Sequence, residues 1–164
     1  MTQALYAPTT RRPAPNYHTY CGPQSVASAH GITPELAAEW LVRIGAVTSD
    51  GIGTHGFGLA CALGSRELYL ARWHDRPPHD LTALPTAAQF LRVHNHQDDD
   101  FLLRSQEHVI HVRAGRIVCD IYGTGGRMRV ISALPVGTSW PRCPCAEFPG
   151  VAVWLPPYTA WRSA

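Results

Sequence analysis

The chain has 164 residues, of which 45% are hydrophobic and 16% charged, with a formal net charge of +2. One folded domain is the default at this size, and the balance excludes both a disordered chain and any general electrostatic case for nucleic-acid or membrane binding. No apolar run approaches the ~18 residues of a membrane span. The N-terminus lacks the basic-then-apolar layout of a secretory signal, so a cytoplasmic location is the expectation.

Residues 1–15 read as a flexible arm, with Pro8, Pro13, Pro15 and an Arg11-Arg12 pair but no periodic apolar face. Residues 16–164 read as a single domain. A first helix is expected from Cys21 to about Ala29, ended by Gly31. Thr33-Pro34-Glu35 is a helix start, with Thr33 as N-cap and Pro34 at the first helical position; apolar residues follow at helical spacing to Gly45. Gly51–Thr54 is a turn, and a short helix is expected over Gly56–Leu63, ending at Gly64. Leu68–Trp73 reads as a strand, His74–His79 as a Pro-rich loop, and Thr86–Leu91 as a third surface helix. Asp98, Asp99 and Asp100 mark a polar loop. Strand candidates follow at Phe101–Arg104, Glu107–Val112, Arg116–Ile121, Arg127–Ile131 and Val151–Leu155. Helices first and an antiparallel sheet after define an α+β fold.

Chemistry concentrates at three residues in this order: Cys21 at a helix start, His108 opening a strand, and Asp120 closing the next. A free thiol is mostly protonated at neutral pH. A helix N-terminus carries partial positive charge and unpaired N–H groups, which favour the thiolate, and a neighbouring imidazole takes its proton. Two histidines compete for that role. His108 and His111 lie on one strand at odd spacing, so they face opposite sides. A two-residue Ala114-Gly115 turn asks for a positive φ at Ala114, which disfavours it. A three-residue loop Arg113-Ala114-Gly115 with glycine in the left-handed position pairs Val112 with Arg116, Ile110 with Val118, and His108 with Asp120. On that register His108 is the base and Asp120 its orienting group, while Val109, His111, Ile117, Cys119 and Ile121 face a core or a covering helix.

The run Tyr20-Cys21-Gly22-Pro23-Gln24-Ser25-Val26-Ala27 resembles the nucleophile segment of papain-like cysteine peptidases, above all the bacteriocin-processing branch. The segment from Glu107 to Asp120 is similar to their His-strand-turn-strand-Asp unit, and the layout to small papain-fold proteins of phages and prophages. The resemblance covers roughly residues 16–132. It implies a papain-like fold, with N-terminal helices, the nucleophile helix among them, packed on an antiparallel sheet. One position departs from the pattern: where the family places a glutamine six residues before the cysteine, this chain has Pro15. Asn16 is the nearest amide and the candidate oxyanion donor, with His18 or Thr19 as substitutes and the Cys21 N–H as the second donor. Tyr17, Tyr20 and Gly22 flank the cysteine and are candidate substrate-binding residues, though for the tyrosines a structural role serves as well.

Other features weigh less. The five cysteines form no regular framework, and a cytosolic chain keeps them reduced. Cys61 and Cys119 read as small core residues. His94, His96, Cys143 and Cys145 supply four potential zinc ligands at non-standard spacing, so no metal is expected. Gly123–Gly126 lies between strands and reads as a flexible turn beside the site, not a phosphate cradle. All 14 basic residues are arginine. An arginine-favouring genome gives that composition, and so does a chain that escapes modification on lysine.

The expected function is therefore a thiol hydrolase that cleaves an amide, peptide or isopeptide, through Cys21, His108 and Asp120 without a cofactor. Its partner would be a protein or peptide substrate, such as a host protein or ubiquitin-like conjugate for a phage-encoded chain. The alternatives are an acyltransferase or transglutaminase-like enzyme with the same triad, and a catalytically inactive papain-fold binding protein of phage or prophage origin.

Overall fold

The computed structural model describes residues 12–65, 68–69 and 84–137. The expected strand beyond Tyr69, the loop His74–His79, the strand Val151–Leu155 and the Cys143/Cys145 pair lie outside the described residues.

The described chain is α+β. A 3-10 turn at Tyr17–Thr19 leads into α1 (Cys21–His30), followed by α2 (Pro34–Arg43), α3 (Gly56–Leu63), β1 (Leu68–Tyr69), α4 (Ala87–Val93), β2 (Asp100–Arg104), β3 (Val109–Arg113), β4 (Arg116–Cys119) and β5 (Ser132–Pro135). The five strands form one antiparallel sheet in the order β1-β5-β2-β3-β4. No helix among the described residues is long and apolar enough to cross a membrane.

Local chemistry explains the helix ends. The Thr33 hydroxyl accepts the Leu36 N–H, and Pro34, which has no N–H to leave unpaired, sits at the first helical position. Thr86 and Gln89 form a reciprocal capping box on α4. Gly31 and Gly64 end α1 and α3 in the left-handed conformation that glycine adopts without a Cβ penalty.

The sheet is covered on both faces. Leu102, Val109 and Leu134 pack with α1, α2 and α3 against Val26, Ala37, Leu41 and Leu59. Phe101, Leu103, Ile110, Val112 and Ala133 pack on the other side with Ala87 and Phe90 of α4. This double burial is why Phe101-Leu102-Leu103 and Val109-Ile110 read as continuous apolar runs rather than alternating ones. Each such side chain contributes about 1.5–3 kcal/mol on burial.

Several expectations need correction. The fifth strand is Ser132–Pro135, not Arg127–Ile131, of which only Arg129 forms an isolated bridge, to Thr86. Serine, alanine and proline are poor strand formers, and what holds them extended is full burial between β1 and β2. Asp100 is not loop but the first residue of β2. Cys61 is exposed on α3 and Cys119 is half-buried, so neither is a core residue. Pro13 and Ala14, assigned to a loose arm, lie against the turn at Gly51, where the Ala14 N–H bonds to the Gly51 carbonyl at 2.9 Å.

The β3–β4 hairpin also differs from expectation. Arg113 pairs with Arg116, so the turn is the two-residue Ala114-Gly115, with φ of 50° and 73°. Alanine accepts the strained conformation because glycine is required at the next position: there a Cβ would come within 2.8 Å of Asn95 Cβ. The register then shifts, from Val112 opposite Ile117 to His111 opposite Cys119, which makes Val118 the extra residue of a bulge. The turn displaces the pairing by one residue and the bulge by one more in the same sense. Face parity is preserved, since a two-residue slip returns each side chain to its own side.

Candidate active site

His108 and Asp120 meet where the β3–β4 hairpin opens, and α1, which begins at Cys21, packs against β3 and β4. His108 immediately precedes β3 and Asp120 immediately follows β4. They are not opposite each other as expected, because the two-residue turn and the bulge each shift the pairing by one residue. Their side chains still meet, with His108 Nε2 2.8 Å from Asp120 Oδ1, and each side chain is only 7% exposed.

Asp120 is held by more than the imidazole. Its Oδ2 accepts the Thr124 hydroxyl at 2.7 Å and the Gly125 N–H at 3.2 Å. The turn over Gly123–Gly126 thus folds around the carboxylate. Burial alone would raise the Asp120 carboxyl; the hydrogen bonds from Thr124, His108 and Gly125 outweigh it and hold the group below its ordinary value. Asp120 is therefore ionised at neutral pH and only accepts hydrogen bonds, so the neutral imidazole carries its proton on Nε2. That leaves Nδ1 with a lone pair. Nδ1 is buried and has no hydrogen-bond partner.

Cys21 is the first residue of α1, half-buried, with its thiol against the backbone N–H groups of Val109 and Gly22. Val109 is the residue next to His108. Burial pushes the thiol up from its ordinary value, and the N–H groups of Val109 and Gly22 offset only part of this. The helix terminus therefore acts on a thiol whose charged form is disfavoured by burial.

The flanking residues divide into two groups. Tyr17 is 3% exposed, with its hydroxyl 2.6 Å from Thr54 Oγ1, and Gly22 is buried beneath Thr54, whose hydroxyl would collide with any Cβ there. Tyr17 thus packs inside the core and Gly22 packs beneath Thr54, so the structure gives both a packing role. Tyr20, the N-cap of α1, is half-buried. Asn16 is exposed and opens the 3-10 turn, its side chain making no capping hydrogen bond. Gln24 Nε2 fastens that turn to α1 through the His18 carbonyl at 3.0 Å.

Sequence reasoning missed Tyr122. Its ring lies over the His108 imidazole with centroids 4.7 Å apart, yet it is 56% exposed. It forms a wall between His108 and solvent. Position 122 carried no motif signal; the two-residue turn and the bulge at Val118 together shift it towards the imidazole.

No group of three or more potential metal ligands occurs among the described residues. Comparison of the chain with protein-family models, with curated proteins and with solved structures finds no match.

Proposed function

We propose that the protein is a thiol hydrolase in which Cys21 is the nucleophile, His108 the general base and Asp120 the residue that fixes the imidazole tautomer. The observation that carries this reading is the buried, unpartnered His108 Nδ1, set by the Nε2–Asp120 bond next to the residue whose N–H touches the Cys21 thiol.

The reaction follows from the protonation states. The resting thiol is neutral, so it reaches the thiolate as its proton passes to Nδ1 while Sγ attacks a carbonyl carbon. The protonated imidazole, stabilised by the Asp120 carboxylate, then gives that proton to the leaving amine, and a thioester remains. Water attacks the thioester with Nδ1 again taking a proton, the acid departs, and the thiol is restored. The N–H groups at the start of α1, with Asn16 as a candidate side-chain donor, would stabilise the oxyanion. The substrate class is an amide in a peptide or isopeptide. A papain-like fold is part of this proposal; its support is the order of the three residues and a nucleophile helix packed on an antiparallel sheet.

One observation favours a second reading. A thiol pushed up by burial suits a binding protein with an inactive site as well as it suits a base-assisted nucleophile. Stopped-flow hydrolysis of p-nitrophenyl acetate separates the two. The enzyme reading predicts a burst matching the protein concentration, acylation of Cys21 by mass spectrometry, and loss of both in Cys21→Ala. No burst and no Cys21 adduct would sink it. Faster turnover on adding an amine would reassign the acceptor and make the protein an acyltransferase.

A further inference from the structure

A second buried histidine lies outside the site just described. His111 is 0% exposed on β3. Its Nδ1 is 2.6 Å from Ser28 Oγ on α1, and its Nε2 is 2.8 Å from Asp100 Oδ1 on β2. Arg113 Nε donates to the other carboxylate oxygen of Asp100 at 2.7 Å. The carboxylate only accepts, so Nε2 carries the proton and Nδ1 accepts from the Ser28 hydroxyl. Serine, histidine and aspartate are linked as in a nucleophilic relay, but the imidazole is sealed from solvent and Ser28 sits in the last turn of α1, away from its N-terminus. The chain of bonds is a fixing device, not a second reactive centre.

What it fixes follows from spacing. Cys21, Ser25 and Ser28 are at i, i+4 and i+7 and line one face of α1. All three touch β3: the Cys21 thiol at the Val109 N–H, the Ser25 hydroxyl at the Val109 carbonyl (3.1 Å, buried), and the Ser28 hydroxyl at His111. Val109 and His111 share a face of the strand and point towards α1. Two polar bonds from one helix face to one strand set both the slide and the roll of α1 on β3. Apolar packing through Val26 and Ala27 tolerates small shifts, whereas a hydrogen bond lost by a few tenths of an ångström leaves a buried polar group unsatisfied.

We infer that Ser28 and His111, with Asp100 behind them, are positioning residues that set the Cys21 thiol against His108. The inference rests on the thiol-hydrolase reading above. Attack geometry is steep in distance, so a displacement of about 1 Å costs up to about 100-fold in rate.

The test is the second-order rate of Cys21 alkylation by iodoacetamide at neutral pH, in folded protein verified by circular dichroism. Ser28→Ala should slow it about tenfold, and Ser28→Thr, which keeps the hydroxyl, should restore it. Val130→Ala, a cavity in the α4 core of comparable thermal cost, should leave it unchanged. In the His108→Ala background, Ser28→Ala should have no further effect, because its action runs through His108. His111→Gln provides a second lesion in the same chain and should behave as Ser28→Ala does. If His108→Ala slows alkylation but neither Ser28→Ala nor His111→Gln does, the positioning role is refuted and the site reading stands. If His108→Ala itself has no effect, the site reading fails first. Equal slowing by Val130→Ala would reduce the seam to ordinary stability.

Discussion

His108 and Asp120 form a 2.8 Å hydrogen bond although the hairpin does not place them opposite each other. The bond is secured from the far side, where Thr124 and Gly125 occupy the second carboxylate oxygen. Removing the carboxylate should therefore have a structural and a chemical consequence. Asp120→Ala loses three hydrogen bonds to a buried charge, which costs about 2–4 kcal/mol. In a domain of this size that is a fall in Tm of about 4–16 °C. Asp120→Asn should keep much of the stability and still lose reactivity at Cys21, because an amide no longer fixes the Nε2–H tautomer. A reactive, stable Asp120→Ala protein would contradict the assignment.

Gly22 is required for packing rather than backbone freedom. A Cβ at this helical position would collide with the Thr54 hydroxyl and Cβ. Gly22→Ala should destabilise by about 1–3 kcal/mol in urea unfolding. Combination with Thr54→Gly should cost less than the sum of the two single changes, since the second removes the obstruction.

Ala114 holds a φ of 50° in the hairpin turn. Ala114→Asn or Ala114→Gly should raise stability by about 0.5–1 kcal/mol, since both residues enter the left-handed region more easily. Equal or lower stability in both variants would mean the turn is not strained.

Acid should weaken the fold in two stages. Burial pushes His94 down from 6.5 to about 4 against the opposing charge of Asp99, and it lowers His111 as well. The unfolded chain then binds protons near pH 6.5 that the folded chain refuses, so stability falls as pH drops from about 6.5 to about 4. Below that window the Asp120 contribution, present above the ordinary carboxylate range, is lost as pH falls through its lowered folded value. His94 packs in a three-ring cluster with Phe90 and Phe101. Urea unfolding across this range should show a shallower loss in His94→Phe; an unchanged slope would rule His94 out as a contributor.

One part of the candidate site was legible in the sequence. That His108 rather than His111 meets Asp120 followed from side-chain alternation, which survives any two-residue slip. The register behind that choice did not survive. Turn rules disfavour alanine at positive φ, but the close approach of Asn95 to Gly115 is a tertiary fact, and a bulge at Val118 leaves no mark in composition. Helix boundaries were legible because Thr33, Thr86, Gly31 and Gly64 end helices by local hydrogen bonds and backbone conformation. β5 was not, because burial alone makes Ser132–Pro135 a strand. Nor were the cradle at Thr124 and Gly125 or the cover at Tyr122, since both depend on how the chain returns after Asp120.

The central claim is that His108 takes the Cys21 proton, and the pH dependence of Cys21 alkylation in wild type and His108→Ala tests it most directly. With base assistance, wild type should be alkylated at neutral pH about 100-fold faster than the variant. The variant should react appreciably only above the ordinary thiol range, where a buried thiol ionises unaided. Superimposable profiles, both following an unassisted thiol, would contradict the account and leave Cys21 as a half-buried residue of a binding protein.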